Sequence, residues 1–412
     1  MAAFSQDFVY QKFSEFYNAS STEIPPPVSI GQREFAFLLF KERIMMRHRG
    51  FSNIRDLKLL LAETVPSDVY HSCAYYENPE LEMDKKGWLG ADLVFDIDAD
   101  HIPTSCNKIH DEWTCSTCGF SGKGITPETC PSCEGQRFDA KTWPCELCLN
   151  SAKEETLKLI DMLEKDFGFS NGEIHVFFSG HRGYHVHVES EAVETLDAMA
   201  RKEIVDYVSG LGLAMLDEEV KERSKRKRAP HVFGLHDFGW SKRLKLGIQK
   251  FIRNAAKEDL KNAGIKNYAA VLQNKEAILK RCLEEGRWKS VKGVSVETWM
   301  KMAEYVKNLE SAKIDTVVTT DVHRLIRLAG TLHGKTGLKK VEFPVKRLKD
   351  FDPFKEAVAF KGGGTAKVFV SDAPEFRLGG EVFGPYRRQT VELPTAAAVL
   401  LICKGRAEEA VK

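Results

Sequence analysis

Short apolar runs alternate along the chain with segments of helical periodicity, which is typical of a mixed α/β protein. The run ADLVFDID (91–98) is short and rich in Val, Phe and Ile, so it predicts a buried strand. EIHVFFSGHRGYHVHVES (173–190) predicts two strands joined by a tight turn that contains glycine. Apolar spacing of the helical kind predicts helices over 32–51, 54–66, 152–168 and 192–212.

Residues 245–311 carry almost no strand signal and predict a helical insert. Helical spacing is seen in KFIRNAAKEDLKNAG (250–264), YAAVLQNKEAILKRCLEEG (268–286) and VETWMKMAEYVKNLE (296–310). The mixed α/β pattern then returns to the C-terminus. The predicted organisation is an α/β core in three parts (1–100, 151–244 and 312–412), a cysteine-rich module (101–150) and a helical subdomain (245–311).

The length and net charge of the chain limit the number of structural units and the kinds of partner only broadly. The chain has 412 residues, enough for two or three structural units, and a formal net charge of +1. With so small a net charge, only local basic clusters could attract a nucleic acid. We find no apolar run long enough to span a membrane and no signal peptide at the N-terminus. We therefore expect no membrane partner and a cytoplasmic protein, or a nuclear one if the source is eukaryotic.

Seven of the ten cysteines fall between Cys106 and Cys148, which predicts a metal-binding module in a reducing compartment. A CxxC pair places two thiolates on one turn, and two such pairs separated by a glycine-containing loop are typical of a zinc ribbon. The alternatives are free buried thiols or a redox pair. The predicted structural zinc sites are a ribbon of Cys115, Cys118, Cys130 and Cys133 and an enclosing site of Cys106, His110, Cys145 and Cys148.

Two carboxylates, Asp96 and Asp98, end the predicted strand at 91–98. Alternate residues of a strand point to the same side, so both side chains could hold one Mg²⁺ or Mn²⁺ ion. Asp100 and His101 follow at once. Helix caps and salt bridges are the ordinary alternatives for such acids. Phosphatases of the haloacid dehalogenase class also carry a DxD motif, but they require Thr or Val where this chain has Asp100.

Two further segments carry groups suited to phosphate. In SGHRGYHVHV (179–188), Arg182 could form two hydrogen bonds to a phosphate and Ser179 could donate another. Strand alternation places His185 and His187 on one face. A polar hairpin on a solvated sheet is the alternative.

The second segment, IDTVVTTDVHRLIRLAGTLHGKTGLK (314–339), begins with Asp315. It then places Arg324 and Arg327 on a predicted short helix, followed by His333 and Lys335 in a glycine-rich loop. Basic groups and glycines around a turn suit a triphosphate. A basic surface loop is the alternative.

A dense basic run, KERSKRKR (221–228), predicts a nucleic-acid contact that would weaken with salt. A solvated loop is an equal alternative, and the run also resembles a nuclear-import signal. Arg33, Lys41 and Arg43, on the helix predicted over 32–51, are weaker candidates for contacts to a template.

Four motifs together resemble the catalytic small subunit of the archaeal and eukaryotic DNA primase. They are KGWLGADLVFDIDADH, SGHRGYHVHV, DFGW and TTDVHRLIRLAGTLHGKTG, in that order, and the likeness extends to the closing AAAVLLICKGRAEEA. The archaeal branch is the more similar one. The chain departs from the family pattern in the ribbon at 115–133, which is inserted inside the zinc knuckle of the family. The resemblance implies a mixed-sheet α/β catalytic core carrying a zinc module and a helical subdomain.

The resemblance also implies roles for single residues. Asp96, Asp98 and Asp315 would hold two Mg²⁺ or Mn²⁺ ions for nucleotidyl transfer, with release of pyrophosphate. The implied contacts to the incoming nucleotide are Ser179, His181, Arg182, His185, Arg327, His333 and Lys335.

As a primase, the chain would make short RNA, or DNA, primers on a single-stranded DNA template from nucleoside triphosphates. The resemblance implies a large, iron–sulfur-bearing subunit and the replication machinery as partners. The alternatives are an end-joining repair polymerase of the same superfamily and a non-catalytic zinc-ribbon subunit that binds nucleic acid.

Overall fold

The computed structural model describes residues 3–19, 21–40, 44–213, 238–280, 291 and 293–410. The basic run at 221–228 lies outside these residues, as do Lys41 and Arg43. Within them the chain is a mixed α/β protein with several antiparallel sheets, which confirms the predicted fold class. Among the described residues, no helix is both long and apolar enough to cross a membrane.

Strands and helices alternate through most of the chain. The strands are β1 (Phe35–Leu39), β2 (Met45–Arg49), β3 (Pro66–Ser72), β4 (Ala74–Tyr76), β5 (Trp88–Ala91), β6 (Leu93–Asp98), β7 (Glu112–Cys115), β8 (Ser121–Lys123), β9 (Phe138–Lys141), β10 (Ile174–Phe178), β11 (Gly183–Val188), β12 (Leu325–Arg327), β13 (Val341–Phe343), β14 (Thr365–Ala373), β15 (Phe376–Leu378), β16 (Glu381–Phe383), β17 (Tyr386–Pro394) and β18 (Ala407–Glu409). The α-helices are Ala3–Asn18, Ile54–Thr64, Asn107–His110, Glu146–Lys165, Glu191–Glu194, Ala198–Val208, Gly239–Asn254, Lys257–Asn262, Tyr268–Gln273, Lys275–Ala277, Val296–Glu310, Thr316–Thr320, Pro353–Glu356 and Thr395–Cys403.

Two four-stranded sheets form the centre of the α/β core. Their strand orders are β13-β10-β11-β6 and β12-β3-β1-β2, and every neighbouring pair is antiparallel. Val94 of β6, Ile326 of β12, Cys73 and Val318 form one buried apolar cluster that ties both sheets to the helix Thr316–Thr320. This packing fixes the first part of β6 relative to that helix. The cysteine-rich module has a small sheet of its own, ordered β8-β7-β9.

The chain divides into two compact units. The first contains Met1–Leu157, Ser170–Lys202 and Lys313–Lys412, and the second contains Lys158–Phe169 and Glu203–Ala312. The second unit is helical where it is described. Its helix Gly239–Asn254 buries Trp240, Leu244, Ile248 and Ile252, which recur every four residues and so share one face.

Most of the predicted elements are present. The predicted strand at 91–98 is β6, and 173–190 contains β10 and β11. Helices are also found in the segments predicted over 54–66, 152–168, 192–212 and within 245–311.

The helix predicted over 32–51 is wrong. The segment forms β1 and β2, because FAFLL (35–39) pairs with both β2 and β3 as a buried strand. A short apolar run does not distinguish a buried strand from a helix by periodicity alone, and here the sheet partners decide. The predicted short helix carrying Arg324 and Arg327 is also wrong. The helix ends at Thr320, and Arg327 lies in β12.

Gly183 is required by the close approach of β11 to β6. A Cβ at this position would overlap the carbonyl oxygen of Ile97. We therefore expect Gly183→Ala to destabilise the protein by about 1–3 kcal/mol, the usual cost of overpacking. Thermal unfolding measures this loss, with Gly31→Ala as the matched control because its added Cβ meets nothing within 4 Å. Equal unfolding temperatures for the two variants would contradict the packing argument.

Candidate active site

Two of the predicted acids project from one side of β6. In the pairing of β6 with β11, Asp96 lies opposite His185 and Asp98 lies opposite Gly183. The imidazole Nε2 of His185 is 3.6 Å from Asp96 Oδ1. Asp96 keeps 24% of its side chain exposed although its strand neighbours Phe95 and Ile97 are fully buried. The acids thus line an opening at the end of an otherwise buried strand.

The third predicted acid is held beside them by the backbone. The amide of Asp315 donates a hydrogen bond of 2.8 Å to the carbonyl oxygen of Asp96. Asp315 Oδ1 accepts from the amide of Val317 and so caps the helix Thr316–Thr320. Within the described part of the chain, the second carboxylate oxygen of Asp315 has no hydrogen-bond donor and is open to another ligand. The structure therefore brings the three predicted carboxylates to one place.

Asp100 and His181 join this acidic cluster. One ligand atom each from Asp98, Asp100 and His181 lie within 4.8 Å of one another. Asp98 Oδ1 also accepts from the amide of Asp100 at 2.9 Å, which fixes the turn after β6. The sequence signalled Asp100 only as an extra acid after the DxD pair.

The local charges disfavour ionised acids in the free protein. Burial raises the pKa of Asp96 to about 7, and the nearby charges of Asp98 and Asp315 raise it as well. Burial also raises the pKa of Asp98, together with the charge of Asp100, to about 6. Because a divalent cation would relieve both the desolvation and the repulsion, these oxygen donors fit Mg²⁺ or Mn²⁺.

A hairpin turn (179–182) and a glycine-rich loop (333–337) lie together next to the acids. The rings of His181 and His333 stack with their centroids 5.1 Å apart. The Thr336 hydroxyl donates to the carbonyl oxygen of Gly180. Ser179 Oγ accepts from the amides of His181 and Gly183, so it shapes the turn. The predicted residues Ser179, His181 and His333 therefore lie on one wall beside the acids.

Three neutral histidines and two lysines line this wall. Burial lowers the pKa of His181, His185 and His333 well below the ordinary value, so they are neutral in the free protein. Lys335 is exposed, and Lys404 Nζ donates to His181 Nε2 at 3.0 Å. Burial, reinforced by the charges of Arg182 and Lys335, lowers the pKa of Lys404 to about 7. Lys404 lies just after the helix Thr395–Cys403, in the closing segment of the family resemblance, and was not among the predicted site residues.

Arg327 supports the glycine-rich loop from beneath. It is buried, and its Nη1 donates to Asp68 Oδ1 at 2.6 Å and to the carbonyl oxygen of Leu332 at 3.2 Å. Asp68 also accepts from the amide of Gly334. Arg327 is thus brought to the site in a supporting position. Asp68 carried no signal in the sequence, because it lies within an ordinary strand.

Arg182 is fully buried, whereas Lys335 of the glycine-rich loop is exposed. Its Nη1 donates to both carboxylate oxygens of Asp111 at 2.9 Å, and its Nη2 donates to Asp100 Oδ1. Both terminal nitrogens of the guanidinium therefore have carboxylate partners. Asp111 is a further residue that the motifs did not indicate.

The cysteine-rich module gathers two sets of metal donors. The first, the knuckle group, joins Cys106, His110, Cys145 and Cys148, and the second, the ribbon group, joins Cys115, Cys118, Cys130 and Cys133. These are the two sets that the spacing predicts.

The distances fit a shared ion better than disulfides. Sulfur separations are 3.4 Å for Cys106–Cys148 and 3.6 Å for Cys115–Cys133, far longer than an S–S bond. His110 directs Nε2 toward Cys145 Sγ at 3.3 Å. A thiolate-rich, four-ligand arrangement of this kind suits a structural Zn²⁺ ion.

Sequence comparison finds a similar protein family and several similar proteins. The family model of the DNA primase small subunit matches residues 138–345. The chain is 34% identical to the DNA primase small subunit PriS of Archaeoglobus fulgidus, over 97% of each chain. It is 33% identical to the protein of the same name from Cenarchaeum symbiosum, over 97% of each chain. A third relative with that name, from Methanothrix thermoacetophila, is 33% identical over 99% of this chain and 100% of its own.

The raised pKa values of the acids lead to a test of cation binding. An acid whose pKa is higher in the folded than in the unfolded state destabilises the fold above the folded pKa, and this cost disappears as pH falls toward the unfolded pKa. At pH 8, without divalent cations in the buffer, we therefore expect Asp98→Asn to raise the unfolding temperature. Added Mn²⁺ should stabilise the wild type more than this variant, because only ligand bound to the folded state stabilises it.

The matched control is Asp139→Asn, which changes an exposed carboxylate in β9. It should leave both the unfolding temperature and the Mn²⁺ effect as in the wild type. A less stable Asp98→Asn, or an equal Mn²⁺ effect in both variants, would contradict cation binding at Asp98.

Proposed function

The chain belongs to the DNA primase small-subunit family, and we propose that its acidic cluster catalyses two-metal nucleotidyl transfer during DNA replication. The family assignment makes it a primase catalytic subunit, a nucleotidyltransferase-type enzyme. The proposed reaction is template-directed synthesis of short RNA, or DNA, primers on single-stranded DNA, with release of pyrophosphate. The observation that carries the proposal is the meeting of three carboxylates with a phosphate-suited wall at the end of β6.

Asp96, Asp98 and Asp315 would hold the catalytic ions. When bound, such ions lower the pKa of an attacking 3′-hydroxyl and stabilise the charge on the α-phosphate. The acids provide oxygen ligands in fixed positions, since β6 is paired with β11 and Asp315 is bonded to the Asp96 backbone. Positioning of this kind supplies much of the rate in phosphoryl transfer.

The proposed triphosphate contacts come from the wall beside the acids. His333 and Lys335 would bind the β- and γ-phosphates, and Ser179 and His181 would orient them from the hairpin turn. His185 Nε2 lies 3.6 Å from Asp96 Oδ1. Its proposed role is either to contact the nucleotide or to position the Asp96 carboxylate. Arg182 and Arg327 stay in the predicted set, but their carboxylate partners favour an indirect role. Cations at the leaving pyrophosphate stabilise its developing charge.

The knuckle and ribbon groups would each hold one structural Zn²⁺. Four protein ligands leave no open coordination position for water, so neither ion would take part in the reaction.

The proposed partners follow from the family. A small subunit implies a large subunit, and we expect that partner to bear an iron–sulfur cluster. Single-stranded DNA, nucleoside triphosphates and other replication proteins complete the set. The named relatives are archaeal, which favours a cytoplasmic location, with a nuclear one as the alternative for a eukaryotic source.

The end-joining repair polymerase is not favoured, because the similarity extends over nearly the whole of proteins named as primase subunits. A non-catalytic binding subunit would have no need for three converging carboxylates whose charges repel each other.

Primer synthesis on an unprimed single-stranded template tests the proposal directly. We expect labelled short products from the wild-type chain with Mg²⁺ or Mn²⁺ and nucleoside triphosphates. Asp96→Ala should give none, because one of the metal ligands is lost, while Asp139→Asn should match the wild type. Gel electrophoresis of the products measures all three.

Thermal unfolding of Asp96→Ala shows whether the variant is folded. Wild-type levels of product from a folded Asp96→Ala would overturn the assignment. If the isolated wild type makes no product, the same assay with the large subunit decides between dependence on that subunit and a role without catalysis.

A further inference from the structure

The buried pair Asp111–Arg182 connects the knuckle group to the acidic cluster. On the knuckle side, His110 Nδ1 donates to Asp111 Oδ1 at 2.7 Å, while its Nε2 faces the cysteine sulfurs. A ligand histidine held in this way has its tautomer and ring orientation fixed by the carboxylate. Arg182 Nη1 also lies 3.8 Å from Cys148 Sγ. The pair thus contacts two of the four knuckle ligands.

At its other end, the Asp111–Arg182 pair contacts the turn after β6. Arg182 Nη2 donates to Asp100 Oδ1, and the Asp100 amide donates to Asp98 Oδ1 at 2.9 Å. The Ala99 amide donates to the carbonyl oxygen of Arg182 at 3.2 Å. Side-chain and backbone contacts therefore both attach Arg182 to the turn after β6. An unbroken path of hydrogen bonds runs from His110 to Asp98.

Because the Asp111–Arg182 pair is buried, removing either residue leaves a charged partner without solvent to replace the lost contact. Arg182 is 0% exposed and Asp111 is 2% exposed. Asp111 also accepts from the Trp143 amide and from Asn107 Nδ2, so its carboxylate accepts from four residues in three segments of the chain. A buried charge that loses its partner must find another or carry a large desolvation penalty. If Asp111 moves, Asp100 is the remaining carboxylate partner of Arg182. The position of the turn after β6 then depends on the position of the guanidinium.

We propose that Asp111 and Arg182 are positioning residues through which zinc in the knuckle group sets the geometry of Asp98 and Asp100. The catalytic consequence rests on the proposed function, whereas the coupling between the two metal sites does not. Arg182 then acts through the acids instead of contacting the triphosphate. A phosphate could reach its terminal nitrogens only by displacing Asp100 or Asp111.

The ribbon group provides the internal comparison. Its sulfurs contact one another, and the Cys130 sulfur also accepts from the Ser132 amide within the ribbon. Loss of a ribbon ligand should therefore leave the acidic cluster unchanged. Cys118→Ser, at an exposed ribbon position, is matched to Cys145→Ser in the knuckle group.

The test measures binding of Mn²⁺ by electron paramagnetic resonance in the full-length chain, together with zinc content by mass spectrometry. We expect Asp111→Asn to bind knuckle zinc about 10–100-fold more weakly, the usual effect of losing an outer partner of a metal ligand, and to bind Mn²⁺ more weakly than the wild type. Cys145→Ser should weaken Mn²⁺ binding as well. Cys118→Ser and Glu112→Gln, which changes the carboxylate next to Asp111, should leave it unchanged.

Arg182→Lys is a second variant, which tests the proposal even if Asp111→Asn fails to fold. It keeps the buried charge but replaces the forked guanidinium by a single ammonium group, which cannot serve both carboxylates in the same way. We expect it to remain folded, to bind Mn²⁺ more weakly and to lower kcat more than it raises KM for the nucleotide.

Two results would overturn the proposal. One is wild-type Mn²⁺ binding in folded Asp111→Asn, which would leave the pair as a fold contact only. The other is a raised KM in Arg182→Lys with unchanged Mn²⁺ binding, which would make Arg182 a direct phosphate ligand. Absence of primer synthesis by the wild type even with the large subunit present would count against the proposed function, and the Mn²⁺ result would still decide the coupling.

Discussion

The pairing of β6 with β11 is the constraint on which the whole site depends. It places Asp96 opposite His185 and Asp98 opposite Gly183, so the acids and the hairpin turn belong to one rigid unit. A slip of one residue in this register would turn both acids to the opposite face of the sheet. Gly183 permits the close approach of the two strands, which is why this glycine is as necessary as the acids.

Buried charge is used in two ways around this unit. The guanidinium groups of Arg182 and Arg327 are paired with buried carboxylates, and each pair fixes a loop of the site. Lys404 instead donates to a neutral imidazole, and Lys335 is exposed. The arginines thus hold the loops of the site in place, while Lys335 leaves an exposed cationic group available for a triphosphate.

The sequence was sufficient for the features that are local in the chain. The strand at 91–98, the hairpin at 173–190 and both cysteine groups are set by residues close in sequence, or by the specific spacing of metal ligands. The helix predicted over 32–51 failed because its short apolar run is paired with distant β3. Asp68, Asp111 and Lys404 were missed for the same reason. Each gains its role only from a partner far along the chain, and no pattern of neighbouring residues records such a contact.

Anomalous X-ray scattering from crystals of the protein grown with zinc, Mn²⁺ and a nucleoside triphosphate tests the central claim most directly. The account predicts manganese peaks between Asp96 and Asp98, with Asp315 as a further ligand, and zinc peaks within the knuckle and ribbon groups. The triphosphate should lie against His333 and Lys335. Manganese bound elsewhere, with Asp96 and Asp98 free of metal while the nucleotide is present, would contradict the account.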